Sequence, residues 1–140
     1  MTTPKLFSRS LFPAQPKSLF ERIGGAPAIE ATVDQMYERI LGDESLTRFF
    51  ADTDMESQKG HQRAFLEVAF GGKKANFDIA EYIETKHANS FEAGLNEAHF
   101  DSVAGHVVDS LAALEVPQDL IDEAVGVVST LRPLFEKSEK

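Results

Sequence analysis

One stretch, TDMESQKGHQRAFLEVAFGG at residues 53–72, constrains the chain more than any other. It reads as a single helix. Thr53 can cap its start, with Glu56 three residues on as the capping-box partner, and Gly71 and Gly72 can end it. One face carries Phe65, Leu66 and Ala69 at helical spacing, as a core-facing stripe does. The same face continues towards the N-terminus as Gln58, His61 and Gln62. A fold that accepts this helix must therefore give two amides and an imidazole either water or a polar centre, because a buried polar group without a partner is costly.

The rest of the chain also reads at helical period. SLFERI at residues 18–23 is a short helix stopped by Gly24 and Gly25, and Pro27 suits the first turn of the next helix. That helix buries Ile29, Val33, Met36, Tyr37 and Ile40 and ends at Gly42. Asp43 can cap a short helix with Leu46, Phe49 and Phe50. After the loop GGKKANFD, in which Phe77 is the one large apolar residue, a weaker helix over about 79–90 holds Ile79, Tyr82, Ile83 and His87. Gly94 breaks the chain, and Asn96 caps a helix with Phe100, Val103, Ala104, Val107, Leu111 and Leu114 inward. Pro117 opens the last, with Leu120, Ile121, Ala124, Val127, Val128 and Leu131 inward, and Pro133 should kink or end it. No segment alternates at period two between hairpin signals. The fold class is all-α.

Composition narrows the chemistry. There is no cysteine, which excludes disulfides, thiolate metal sites and thioether haem attachment. His61, His87, His99 and His106 are then the only strong nitrogen ligands. A net charge of -9 argues against nucleic-acid and anionic-membrane partners. No apolar run approaches a membrane span. Residues 1–17 are basic, proline-bearing and free of acids, and read as an extension, either partly ordered or a short organelle-targeting segment. The domain is expected over residues 18–136, with residues 137–140 a tail.

Taken one at a time, His87 near a helix end, Tyr37 on a core stripe and the Phe49–Phe50 pair all have ordinary structural readings. Together they suit a large apolar disc with a polar, charge-bearing centre. Haem is such a disc: it needs an axial imidazole on one face, apolar contacts around it and hydrogen-bond donors on the other. His87 would be the axial ligand; Phe50, Phe65, Leu66, Phe77 and Val103 the apolar wall; Tyr37, Gln58 and Gln62 the donors.

The chain resembles the truncated (two-over-two) haemoglobins, specifically their group I. The resemblance is carried, in order, by SLFERIGG, VDQMYERIL, RFFADTDM, QKGHQRAFLEVAFGG, KH, GLNEAHFD and LEVPQDLI, and covers roughly residues 18–125. It implies a globin fold shortened to a two-over-two helical sandwich around one haem b. It implies His87 as the proximal iron ligand, Tyr37, Gln58 and Gln62 as distal donors to bound O2, NO or CO, and Phe50 packed against the porphyrin. Some cyanobacterial members bond haem covalently through a histidine of the last helix. This chain has none there, so its haem is expected to be held non-covalently. The resemblance further implies O2 binding and, in many members, nitric oxide dioxygenase activity fed by a reductase that nothing in these residues identifies.

His61 opens a second reading. Matching QKGHQ to the pattern of cyanobacterial and algal relatives, it is a candidate sixth ligand opposite His87, which would suit electron transfer or redox and gas sensing. Two rivals of other classes stand beside these. Glu84 and His87 have the Glu-x-x-His spacing of a carboxylate-bridged di-iron bundle, although that motif is needed twice and occurs once. A cofactor-free interaction module would leave Gln58 and Gln62 unexplained. A monomeric, cytoplasmic protein is expected.

Overall fold

Each helix begins and ends for a local reason, and the ends decide where the long helices cross. The computed structural model describes residues 17–74 and 78–136. The expectations placed on the extension up to residue 16, on Phe77 and on the tail 137–140 fall outside the described residues. Helix α1 (Leu19–Ile23) starts from a capping box: the Glu21 N–H donates to Ser18 Oγ at 3.1 Å, and the Ser18 N–H donates to Glu21 Oε1 at 3.3 Å. Gly24 then turns the chain with φ 135°, and a Cβ there would lie 2.8 Å from that of Ala28, so the corner into α2 (Gly25–Leu41) requires glycine. Asp43 caps α3 (Glu44–Thr47), which runs on into a 3-10 turn, Arg48–Phe50.

Helix α4 (Met55–Ala69) carries the polar face, and its start corrects the reading from sequence. The cap is Asp54 rather than Thr53: the Asp54 carboxylate accepts the N–H groups of Glu56 and Ser57. Thr53 instead gives its N–H to the Phe50 carbonyl at 3.2 Å and closes the turn before the helix. Both residues are good cap types, and an aspartate adds a charge that complements the helix N-terminus. At the other end, a Cβ on Gly72 would meet the Phe20 ring at 2.5 Å, and the Phe20 N–H reaches the Phe70 carbonyl at 3.0 Å, so α1 sits against the end of α4.

The weaker helix expected over 79–90 is two, α5 (Ile79–Lys86) and α6 (Ala88–Glu92), broken at His87 with φ -107° and ψ 11°. Helix α7 (Glu97–Ala113) starts at Asn96 as expected. Helix α8 (Gln118–Ser129) follows Pro117, and Pro133 lies in a final 3-10 turn, Arg132–Phe135. Among the described residues there is no strand, and no helix is long and apolar enough to cross a membrane.

The long α2 packs against both α4 and α7, and α7 packs on α8, which gives two helix pairs laid over one another. Ile29, Val33, Met36 and Ile40 of α2 face Leu66, Leu111, Ile121 and Ala124 in the main core. Thr32 of α2 and Ser110 of α7 are buried polar residues, and each hydroxyl is satisfied by the carbonyl four residues back, at 2.8 and 2.7 Å. A second apolar cluster gathers Ile83, Leu95 and Phe135 with Phe49, Phe91 and Phe100. Phe65 packs against both clusters.

Candidate functional site

The seam between the two clusters is where the polar face of α4 lies. On the α2 side, Tyr37 is only 2% exposed and its ring meets Phe50 edge-on at 5.7 Å. The Gln58 amide donates to the Tyr37 hydroxyl oxygen at 2.9 Å. The Tyr37 hydroxyl in turn donates to Gln62 Oε1 at 3.5 Å, the long end of what a hydrogen bond tolerates. Gln58 thus fixes the phenol oxygen, while the phenol proton is loosely committed. Burial pushes the Tyr37 pKa above its ordinary value, and the bond from Gln58 offsets part of that rise. The phenol therefore stays protonated, and a donor, throughout the neutral range.

On the other side of the seam, His87 is half-buried at the α5–α6 break. Its backbone N–H and its Nδ1 both use the Ile83 carbonyl, at 3.0 and 2.9 Å. A carbonyl cannot donate, so Nδ1 carries the ring proton and Nε2 keeps its lone pair. Burial lowers the imidazole pKa, opposed by the bond to Ile83, which favours the neutral ring that a metal requires. Phe91 and Phe135 flank the ring, with centroids 6.0 and 5.4 Å away.

The other histidines are engaged elsewhere or face water. His99 Nδ1 accepts the Asn96 N–H at 3.1 Å, and its ring meets Phe49. His106 Nε2 bonds Asp43 Oδ2 at 2.8 Å, which holds the Asp43 carboxyl below its usual range. His61 is exposed on α4, one turn from Gln58.

The apolar residues expected at the site divide into two sets. Leu66 is buried in the main core, with Phe50, Phe65 and Val103 partly buried against it. Of the described phenylalanines only Phe70 and Phe135 are buried; Phe20, Phe49, Phe50, Phe65, Phe91 and Phe100 are half-exposed. Half-exposed phenylalanine rings of both clusters beside a buried tyrosine–amide chain are the lining a flat apolar cofactor with a polar centre needs. Phe91, Leu95 and Phe135 were not singled out from sequence. Phe91 carried a signal, standing four residues after His87 and so on its side of a helix; Phe135 lies beyond Pro133, where helical periodicity has stopped. Among the described residues no group of three or more His, Asp or Glu side chains could hold a metal together.

Known proteins are similar to this chain in sequence and in fold. The family model described as bacterial-like globin matches residues 18–136. The chain is 43% identical over 111 residues to the group 1 truncated hemoglobin GlbN of Synechocystis sp., covering 79% of this chain and 88% of that one. It is 37% identical to the GlbN of Mycolicibacterium paratuberculosis, covering 90% and 89%. Among solved structures, Chlamydomonas reinhardtii THB4 superposes with a TM-score of 0.75 at 43% identity, covering 85% of this chain and 94% of that one. The 2/2 hemoglobin of Synechococcus sp., solved in the cyanomet state with covalently attached heme, gives a TM-score of 0.76 at 38% identity, covering 85% and 98%.

Proposed function

We propose a role for each of these side chains on the premise that the chain belongs to the group I truncated haemoglobins, all-helical two-over-two globins that carry one haem and bind diatomic gases. His87 would hold the haem iron through Nε2, and Tyr37, Gln58 and Gln62 would offer hydrogen bonds to a bound gas. Phe50, Phe65, Leu66 and Val103 would line the haem, and the family resemblance adds Phe77.

The observation that carries this reading is the chain of bonds from Gln58 to Tyr37 to Gln62. Haem, when bound, supplies an iron that takes up O2, NO or CO and shifts negative charge onto O2. Tyr37 answers that charge. Its proton leaves a 3.5 Å bond to Gln62 at little cost, while Gln58 keeps the phenol oxygen in place. Donors already oriented in a dry site are worth more than the same groups in water, because nothing has to reorganise when charge appears. The same reading finds support in the Tetrahymena pyriformis globin, 26 to 27% identical to this chain. It has been solved as one tyrosine-to-phenylalanine and two glutamine-to-glutamate variants, at positions spaced as Tyr37, Gln58 and Gln62 are here.

The function that best uses a tightly held O2 is nitric oxide dioxygenation: NO and O2 become nitrate, with one electron drawn from an external reductant. Rapid mixing of the oxygenated protein with NO, followed by a nitrate assay, tests it. One nitrate per haem is expected; release of O2 without nitrate removes the activity. The bis-histidine reading requires His61 to turn inward from its exposed position. A ligand-free ferrous spectrum that His61→Leu leaves unchanged would assign the distal side to Tyr37 and the two glutamines alone.

A further inference from the structure

We propose that Phe135, at the end of the chain, sets the plane of the His87 imidazole and so positions the axial ligand; this rests on the reading that His87 holds the iron. The bond from Nδ1 to Ile83 anchors one atom of the ring. It does not fix the plane. The histidine χ2 well is broad, and a carbonyl accepts over a wide range of directions. A second contact has to choose the orientation.

That contact is Phe135. Its ring lies 5.4 Å from the imidazole at 70°, an edge-to-face arrangement, and the residue is 8% exposed. Phe91 also touches the imidazole, yet it is half-buried and sits on the same short helix turn, so it moves with His87 rather than against it. Phe135 arrives from the other end of the domain. It is wedged between Phe100 at 5.0 Å and Phe91 at 5.6 Å. The turn that carries it is tied to α7 by a two-pronged pair: Arg132 Nε to Asp101 Oδ1 at 2.8 Å, and Arg132 Nη2 to Asp101 Oδ2 at 3.0 Å. Arg132 also reaches Glu136 at 3.2 Å. An exposed ion pair contributes little stability, but a forked one fixes a direction. The pair aims the turn, the turn places the ring, and the ring places the imidazole.

The test uses the full-length, haem-loaded ferric protein with cyanide as the sixth ligand, which displaces any competing side chain. The proton NMR shifts of the four haem methyls then report the orientation of the proximal imidazole plane. Phe135→Leu keeps an apolar side chain but removes the ring edge, and is expected to change the order or spread of the four resonances while the His87 ring signals persist. Arg132→Ala, which leaves the core intact, is expected to change them in the same sense and less. A wild-type methyl pattern in Phe135→Leu, with or without a lower melting temperature, overturns the proposal. If Phe135→Leu fails to hold haem, a wild-type pattern in Arg132→Ala overturns it. The underlying assignment has its own control: proximal ring signals that survive in His87→Gly remove His87 as the ligand, whatever Phe135 does.

Discussion

In the proposed function two side chains hold the chemistry, and each is tuned by its neighbours. Tyr37 is buried, and burial opposes loss of its proton. Tyr37→Phe removes the hydroxyl and leaves the ring, so the expected result is specific: O2 should leave about 10 to 150 times faster by stopped flow, the factor for a hydrogen bond to a charged group of about 1.5–3 kcal/mol. His87 carries a pH dependence. Its pKa is lowered in the folded chain by burial, so the unfolded chain binds this proton at the higher pH. This contribution to stability is therefore whole above about pH 6.5 and is lost as the pH falls from there towards the lowered value. Urea unfolding of the haem-free protein across that window should show the decline, and His87→Leu should flatten it. The role of His87 was implied by the family resemblance, whereas the burial of Tyr37 was legible in the sequence from its place on a core stripe. The loose bond from Tyr37 to Gln62 was not, since a donor distance depends on how two helices sit.

At the scale of elements, α4 matters most, because Gln58 and Gln62 lie within its first two turns. Its cap bears directly on the site. Asp54→Ala removes the acceptor of two backbone N–H groups and should cost about 0.5–2 kcal/mol, read as a lower melting temperature. The first turn should also fray, and O2 should leave faster as Gln58 loosens. The sequence placed this helix but put its start one residue early. Thr53 and Asp54 are both cap types, and the choice was made by the turn that takes the Thr53 N–H back to Phe50. The break at His87 had even less signal. No glycine or proline marks it, and a helix could have run through. What breaks it is a bridge-region backbone whose Ile83 carbonyl serves both the main chain and the ring of the same residue.

At the scale of the molecule, two apolar clusters share Phe65, and both hold half-exposed phenylalanine rings. A disc inserted there completes the burial. Haem should therefore stabilise the protein, by about 2.7 kcal/mol at a free concentration 100 times its dissociation constant, which a thermal melt with and without haem would measure. An unchanged melting temperature would mean that the folded chain binds haem no better than the unfolded one. By itself the sequence determined the helical class, the glycine stop after α1, the polar interruption on α4 and the residue types able to hold an iron, because these depend on neighbours a few residues apart. Tertiary structure alone decided which aromatic rings face the seam, that Phe135 from the end of the chain meets His87, that His61 points to water, and which histidines are committed elsewhere. Those outcomes depend on helix crossings between residues far apart in the chain, and a local periodicity carries no information about a distance it does not span.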